Sequence, residues 1–503
     1  MRFAYRKTRF LGWDKHHHQF RMNVIGVSLK MSYTWAVIKQ THISRVLIIG
    51  AGIAGMQAAL DVANAGYEVV LVERLPSVGG RMAQLSETFP TLDCAQCILT
   101  PRTVEVGHHE HIHLYTYSDV EEITPLSPPP SGGEPGGGFR VRIRRRASYV
   151  DWDKCTGCGV CQEKCPSKVD SDFERLVGKR KAIYTVSPQA VPNKPVLDRE
   201  NCIFFRRGKC KACQRFCPVG AIDYEQEDSF FEEQVGAIIL ATGYDLYGLD
   251  RMPEYGGGHV PDVIDALAFE RMLSASGPTG GKIFRPSDGQ VPREVVFIQC
   301  AGSRDPEKHL SYCSKICCMY TAKQAMLYRH RVHDGQAYIF YIDIRAAGKR
   351  YDEFTQRAMA EERVVYLRGK VSRVFRAPPQ PSPVDGGGDE GGKVIVWGSD
   401  TLSGQQVQIA ADLVVVAPAL LSRLTTVRLA EMLSLPTDEH GWLLSRESNM
   451  HPVETVRPAI FLAGTSVGPM DIPETVAHAS GAAAQVLKLF SRWGRANEKE
   501  EGR

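Results

Sequence analysis

What this sequence lacks narrows it before any motif is read. Nowhere does it approach the about eighteen consecutive apolar residues that a membrane-spanning helix needs. Residues 1–42 carry Arg2, Arg6, Arg9 and a His16-His17-His18 run but no sustained apolar core, so they do not read as a secretory signal. Charge of either sign is hardly in excess: 61 Lys and Arg face 57 Asp and Glu, a net +4 that is too mild for a nucleic-acid binder. No Ser-His-Asp, zinc-protease or Walker pattern stands in a supporting context. The chain has 503 residues, 43% apolar and 23% charged, which suits a soluble globular protein of two or three domains.

Cysteine is plentiful. Fourteen cysteines in so long a chain without a signal exclude a secreted disulfide scaffold. The expectation is a reducing cytoplasm in which thiolates serve metals. Residues 1–42 are expected to be a disordered extension from an upstream start codon, with the fold beginning near Ile43.

The densest signal is Cys155-Thr-Gly-Cys158-Gly-Val-Cys161-Gln-Glu-Lys-Cys165-Pro166, a spacing that iron–sulfur clusters use. A second run, Cys202, Cys210, Cys213 and Cys217-Pro218, repeats it with a longer first gap. Two such runs predict a two-cluster ferredoxin-like module. The crossover of such modules assigns Cys155, Cys158, Cys161 and Cys217 to one cluster and Cys165, Cys202, Cys210 and Cys213 to the other.

Upstream, Arg45-Val-Leu-Ile-Ile49 opens into Gly50-Ala-Gly52-Ile-Ala54-Gly55, followed by a helical segment and then Glu68-Val-Val-Leu-Val72 and Glu73. This is a βαβ unit with a dinucleotide fingerprint. Gly50 makes the tight turn, Gly52 admits a pyrophosphate to the helix N-terminus, and Gly55 allows close packing. Glu73, with Arg74 next to it, is placed to receive ribose hydroxyls. Later segments favour FAD over NAD: Gly79-Gly80-Arg81-Met82, Ala241-Thr242-Gly243, and Gly464 through Asp471-Ile472-Pro473-Glu474.

The expected class is α/β: a thioredoxin-reductase-like two-dinucleotide-domain flavoprotein with a Rossmann-type FAD domain and an inserted ferredoxin-like α+β domain. Its predicted parts are FAD domain at 43–150, insert at 151–227, FAD domain and linker at 228–285, second α/β lobe at 286–417, and FAD domain again at 418–503. Two Pro/Gly-rich tracts, Ser127–Gly138 and Pro378–Gly392, read as flexible surface loops. Arg140–Arg146 reads as an exposed hairpin edge, with docking of an acidic partner as its alternative role. His108, His109, His111 and His113 read as one partly exposed strand face.

In the second lobe the turn that carries a nicotinamide fingerprint in such flavoproteins reads Ile298-Gln-Cys300-Ala-Gly302-Ser-Arg304 and keeps only Gly302. In its place stands Cys300-x12-Cys313-x3-Cys317-Cys318. Spacing alone leaves a metal centre, structural zinc and inert buried thiols all open. Lys323, five residues on, is a candidate to project a cation toward a flavin, against the default of a solvated lysine. Cys94 and Cys97 form an isolated CxxC, either a redox dithiol or buried or partner-facing thiols.

Taken together, these motifs resemble the FAD- and iron–sulfur-bearing subunit of heterodisulfide reductase, the HdrA family. The resemblance is carried by the glycine fingerprint, Phe89-Pro-Thr-Leu-Asp-Cys94-Ala-Gln-Cys97-Ile-Leu-Thr-Pro101, both ferredoxin runs, the Cys300–Cys318 quartet and Gly468-Pro-Met-Asp471-Ile-Pro473-Glu474. It implies a [4Fe–4S] cluster at Cys300, Cys313, Cys317 and Cys318, beside FAD and the insert's two [4Fe–4S] clusters. It also implies an electron-transfer oxidoreductase component, with flavin-based bifurcation as an option. The implied partners are disulfide-reducing subunits and a hydrogenase-, formate dehydrogenase- or NADH dehydrogenase-like donor, with ferredoxin a further one. Together they would make a hetero-oligomer, with dimerisation of the whole as an option. Longer members carry extra cluster domains, whereas here residues 1–42 contain no cysteine and none follows Cys318. The rival readings are an NAD(P)H-dependent reductase like the small subunit of glutamate synthase, a quinone-linked relay, and a zinc protein with vestigial flavin binding.

Overall fold

A computed structural model describes residues 42–126, 137–377 and 392–501, with side chains of the last helix as far as Gly494. The expectations for the N-terminal extension, apart from His42, and for the bulk of the two Pro/Gly-rich tracts lie outside the described residues.

Five short apolar runs form one parallel sheet, in the order Ile460–Leu462, Ala237–Leu240, Arg45–Ile49, Glu68–Val72, Ile112–Tyr115. Its central strands are buried nearly throughout, the pattern of a parallel sheet covered on both faces. The helices Ile53–Ala63 and Ile472–Glu501 pack against each other over it. Two strands of this sheet come from far along the chain, so the chain leaves the domain and re-enters it twice.

A second parallel sheet runs Val263–Asp265, Leu413–Pro418, Glu294–Ala301, Gln336–Tyr341, Val365–Arg368. Each parallel sheet has a three-stranded antiparallel companion. These are Ser118–Pro125, Phe139–Arg145, Ser229–Val235 in the first half and Val371–Arg376, Val394–Asp400, Gln405–Ala411 in the second. The repeated plan is the thioredoxin-reductase-like pair of dinucleotide domains.

The cysteine module replaces a hairpin turn. Strands Phe139–Arg145 and Ser229–Val235 are antiparallel neighbours, with Arg145 opposite Ser229, so residues 146–228 leave and return at one point. Ala147 N–H donates to Asp228 Oδ1 at 2.8 Å and closes the neck. An insertion with adjacent ends leaves the host sheet's register unchanged, which is why so long an excursion is tolerated.

Three expectations need correction. Arg140–Arg146 is not a hairpin edge: Phe139–Arg145 is the middle strand of its sheet, and its arginines meet partners within the fold. Arg144 pairs with Asp119, Glu121 and Asp228, Arg140 with Glu232, while Arg142 and Arg145 lie over Phe230 and Trp152. The second lobe starts before residue 286, because Val263–Asp265 already belongs to its sheet and the buried helix Ala266–Leu273 follows. The histidines do not share one strand face: His108 ends the helix Ala95–His108, whereas His111 and His113 both bond Glu68.

Candidate flavin cavity and cysteine centres

The glycine turn forms the floor of a cavity of about 710 Å³, within the usual range for a ligand site. Gly50 has φ +105°, and a Cβ there would stand 2.3 Å from the Ala241 carbonyl oxygen. A Cβ on Gly55 would stand 1.8 Å from Gly50 O. Gly52 differs: it is the N-cap of Ile53–Ala63 with no side-chain cap and no acid in the first turn, and a Cβ there would meet nothing nearer than Gly80 Cα at 4.0 Å. Free N–H groups at a helix N-terminus facing open space suit a pyrophosphate.

Of the residues expected to bind cofactor, Gly50, Gly52, Ala54, Glu73, Arg74, Gly80, Arg81, Met82, Thr242, Gly243, Asp471 and Ile472 border this cavity. Gly55 and Gly464 do not; both are packing glycines, Gly464 because a Cβ would meet Ala54 Cβ at 2.7 Å. Glu73 is buried, and its carboxylate already accepts Ala51 N–H and Leu75 N–H, each at 2.8 Å, which pins it under the turn. Asp471 and Glu474 cap the final helix reciprocally, and Tyr351 of the second lobe donates to Asp471 at 2.7 Å. Arg74 Nε and Gln324 Oε1, from opposite lobes of the wall, are buried without a partner, as expected of groups awaiting a polar ligand. The residues present therefore fit FAD.

Lys323 is not solvated. It lies on Cys317–Arg331, borders the cavity, is 1% exposed, and bonds Glu270 Oε1 and Glu87 O at 2.7 Å each. Sequence reasoning missed Glu270, although an acid and Arg271 inside the apolar run Ala266–Leu273 mark a buried polar network. It also missed Arg175, Arg180 and Tyr184, which reach the cavity from the insert. No local pattern signals these, because the insert's placement over the cavity is a tertiary event.

In the insert, Cys165, Cys202, Cys210 and Cys213 border one small pocket with Ile183, Leu197 and Tyr224. Cys161, Cys202 and Cys213 belong to one buried cluster with Cys155, Cys165 and Cys217 packed against it, whereas Cys158 is exposed. Gly157 N–H and Ala221 N–H point at the sulfurs of Cys155 and Cys217, at 3.4 and 3.2 Å. Burial, and then the crowding of Cys155, Cys213 and Cys158, push the Cys161 thiol up to about 12. Thiols so crowded ionise together only against a cationic centre, so the donor set suits iron–sulfur clusters. Among the described residues, no three His, Cys, Asp or Glu side chains converge as a single-ion cage.

In the second lobe Cys300, Cys317 and Cys318 are buried together against Ala417, with Tyr320 packed on them. Cys300 has φ +57°, a left-handed turn directly after its strand's ladder with Leu413–Pro418 shifts register. Cys313 is half-buried on the loop that Arg304 N–H holds through Tyr312 O. Backbone N–H groups of Lys315 and Arg345 point at Cys313 and Cys318 at 3.2 and 3.4 Å. The hydrogen bond from the Cys317 thiol draws Cys318 down to about 7 while Cys317 is driven well up. Tyr320 borders the flavin cavity as well, so cavity and quartet share a wall.

Cys94 and Cys97 are both exposed, which settles against burial. Cys94 is the N-cap of Ala95–His108, its sulfur accepting Cys97 N–H at 3.3 Å.

Known proteins match along the same lines. The family "FAD dependent oxidoreductase" matches residues 45–102, and "4Fe-4S binding domain" matches 148–169. The A-type iron–sulfur subunit of CoB–CoM heterodisulfide reductase from Methanocaldococcus jannaschii is 43% identical over 440 residues, 88% of this chain and 63% of that protein. The second such A-type protein of Methanopyrus kandleri is 43% identical over 454 residues, 90% of this chain and 65% of its own. The chain belongs to the HdrA family of heterodisulfide reductase. It spans somewhat less than two thirds of the length of these relatives. Among solved structures, the thioredoxin reductase of Lactococcus lactis aligns at 14% identity and TM-score 0.45, covering 89% of this chain and 99% of its own. So distant a likeness adds nothing to the topology.

Proposed function

We propose that this HdrA-family chain is the FAD- and iron–sulfur-dependent electron-transfer component of a heterodisulfide-reductase-like complex. One observation carries the reading. A single cavity is floored by the Gly50–Gly52 turn, walled by Lys323 and Tyr320 from the helix that begins at Cys317, and roofed by Arg175, Arg180 and Tyr184 of the cysteine insert. A cofactor held there touches both cysteine-bearing elements.

FAD, once bound, supplies conversion between two-electron and one-electron chemistry, and iron–sulfur clusters hold single electrons. The chain's own groups do the rest. Gly52 and the helix N-terminus hold the pyrophosphate, and Glu73 fixes the turn beside the ribose. Lys323 presents a positive charge to the cavity, held there by Glu270. Cys155, Cys158, Cys161 and Cys217 hold one cluster, Cys165, Cys202, Cys210 and Cys213 a second, and the Cys300–Cys318 quartet a third. Disulfide-reducing and electron-donating subunits complete the reaction. Bifurcation is an option that the two cysteine-bearing exits from one cavity permit.

Iron, acid-labile sulfide and FAD are to be counted on the purified chain, which is then mixed with NADH alone. About twelve iron and one FAD per chain, without bleaching by NADH, is the expected result. Stoichiometric bleaching favours the NAD(P)H-dependent reductase, and zinc without sulfide ends the cluster assignment.

A further inference from the structure

One hairpin of the inserted module crosses to both lobes of the host. Lys168–Asp170 and Lys179–Lys181 pair antiparallel, and residues 171–178 form the loop between them. Its base is tied to a cluster cysteine, since Lys181 Nζ donates to Cys165 O at 2.6 Å. At its tip, Gln84 of the first lobe donates to Phe173 O at 2.8 Å. Glu174 binds Arg271 of the second lobe at 2.7 and 3.3 Å, and Arg175 binds Asp265 at 2.5 Å. Arg271 is 1% exposed, lies over the Phe173 ring and donates to Gln84 O. Insert, first lobe and second lobe thus meet at one buried guanidinium.

The approach is close and the backbone of the tip is strained. A Cβ on Gly178 would stand 2.5 Å from Pro278 Cβ. Arg175 and Leu176, consecutive and neither of them glycine, have φ +52° and +66°. Left-handed backbone at such residues persists only where surrounding contacts over-determine it. Leu176 is 68% exposed, so its conformation follows from its neighbours' contacts and not from its own burial.

Glu174 and Arg175 grip a single helix at its two ends. Asp265 is the N-cap of Ala266–Leu273, accepting Ala268 N–H at 2.8 Å, and Arg271 stands in the last turn. All eight residues of that helix are buried. Between the grips stands Glu270, which binds Lys323 at 2.7 Å and Gln324 Nε2 at 2.6 Å. The bonds of Glu270 and Lys323 run to Ser86, Glu87, Gln324 and each other, so the insert acts on them through the helix.

We infer that Glu174 and Arg175 are positioning residues for the flavin site. With the hairpin docked, the helix is held at both ends and Glu270 sets Lys323 on the cavity wall. With it undocked, the helix slackens and the cation loses its place. The cysteine module thereby conditions the cavity that it roofs. The inference rests on the proposed function for the role of Lys323 toward FAD.

The test compares the full chain with E174Q/R175Q, the conservative E174D/R175K, K323M and the triple change E174Q/R175Q/K323M. Hydrogen exchange of residues 266–273, followed by mass spectrometry, reads the helix. The two-electron potential of bound FAD reads the cation, and the insert's iron content confirms that the module stays folded. Exchange at 266–273 in E174Q/R175Q is expected to be at least about tenfold faster. The ratio of reduced to oxidised FAD affinity is expected to fall about tenfold, which lowers the potential by about 30 mV. E174D/R175K falls between that variant and the unaltered chain. K323M lowers the potential in the same direction, and the triple change adds nothing to it, because the hairpin works through Lys323. Where the double variant does not fold, R175Q alone, at the more exposed grip, gives the same changes at smaller size. Unchanged exchange at 266–273, an unchanged potential in E174Q/R175Q while K323M shifts it, or additive shifts in the triple variant each overturns the inference. A K323M potential equal to that of the unaltered chain sinks the proposed role of Lys323 instead, and the exchange at 266–273 still decides whether the hairpin holds the helix.

Discussion

Lys323 Nζ lies 2.7 Å from Glu270 Oε1, and neither side chain is more than 2% exposed. The pair sits at the seam between the two lobes. Glu270 Oε2 accepts Ser86 N–H and the Ser86 hydroxyl at 3.0 and 2.7 Å, and Lys323 reaches the Glu87 carbonyl in the same first-lobe segment. One ion pair therefore fastens the segment 85–89 to the second lobe and fixes a cation on the cavity wall.

Breaking that pair from one side leaves a buried charge alone. K323M or E270Q alone is expected to cost about 3–5 kcal/mol, and the double change K323M/E270M distinctly less than the sum. Urea unfolding of the three variants checks it. Additive losses mean that the two residues do not act as a pair.

Acid sensitivity has a named origin. Burial works against ionisation of both Glu270 and Asp412, yet their partners hold both carboxyls below the ordinary value: Lys323, Ser86 and Gln324 for the first, Lys393 and the N–H groups of Arg293 and Glu294 for the second. A folded-state value below the unfolded one gives stability that is complete above the unfolded value, near 4, and is lost as pH falls through the lower folded values. Denaturant midpoints are expected to be level from about pH 7 to 5 and to drop steeply below about pH 4. D412N is expected to flatten part of that drop.

Two of the fingerprint glycines, Gly52 and Gly55, separate by experiment. G52A places its methyl in open space and is expected to keep the melting temperature within about 2 °C while FAD binding weakens at least tenfold, because the group occupies the pyrophosphate's approach. G55A meets Gly50 O and is expected to destabilise the fold outright. Loss of stability in G52A, with FAD binding retained, contradicts this division.

The ligand partition of the insert is open to a count. C213A is expected to remove the cluster shared with Cys165, Cys202 and Cys210, and C217A the one shared with Cys155, Cys158 and Cys161. Each variant should keep the other cluster's iron and its spectroscopic signal. If C213A instead removes the signal that depends on Cys158, the crossover is wrong.

Cys94 should react before Cys97. The hydrogen bond from the Cys97 thiol, with the N–H groups of Cys97 and Gln96, draws the Cys94 thiol below its usual range and raises Cys97. Iodoacetamide at about pH 7.5 followed by peptide mass mapping is expected to find Cys94 labelled first, since the thiolate is the nucleophile.

Periodic and local features were legible in the amino-acid order. Strand runs such as Arg45–Ile49 and the Gly50–Gly55 turn follow from short-range sterics and hydrophobic pattern, so fold class and cofactor type could be read there. So could the cysteine spacings, because cluster geometry constrains residues only a few positions apart. Features that depend on neighbours across the sheet were misjudged. Arg140–Arg146 alternates like an edge strand, yet a partner strand more than eighty residues on makes it central, and acids of the two flanking segments pair with Arg140 and Arg144. Gly464 reads as a ligand contact in the sequence, whereas its missing Cβ makes room for the side chains of Ala54 and Thr475. That the insert, closing on itself as a hairpin substitute, roofs the flavin cavity, and that Glu270 meets Lys323, emerges only from the packed three-dimensional arrangement. These contacts join residues tens to hundreds of positions apart, and burial, rather than any local preference, fixes which charges must pair.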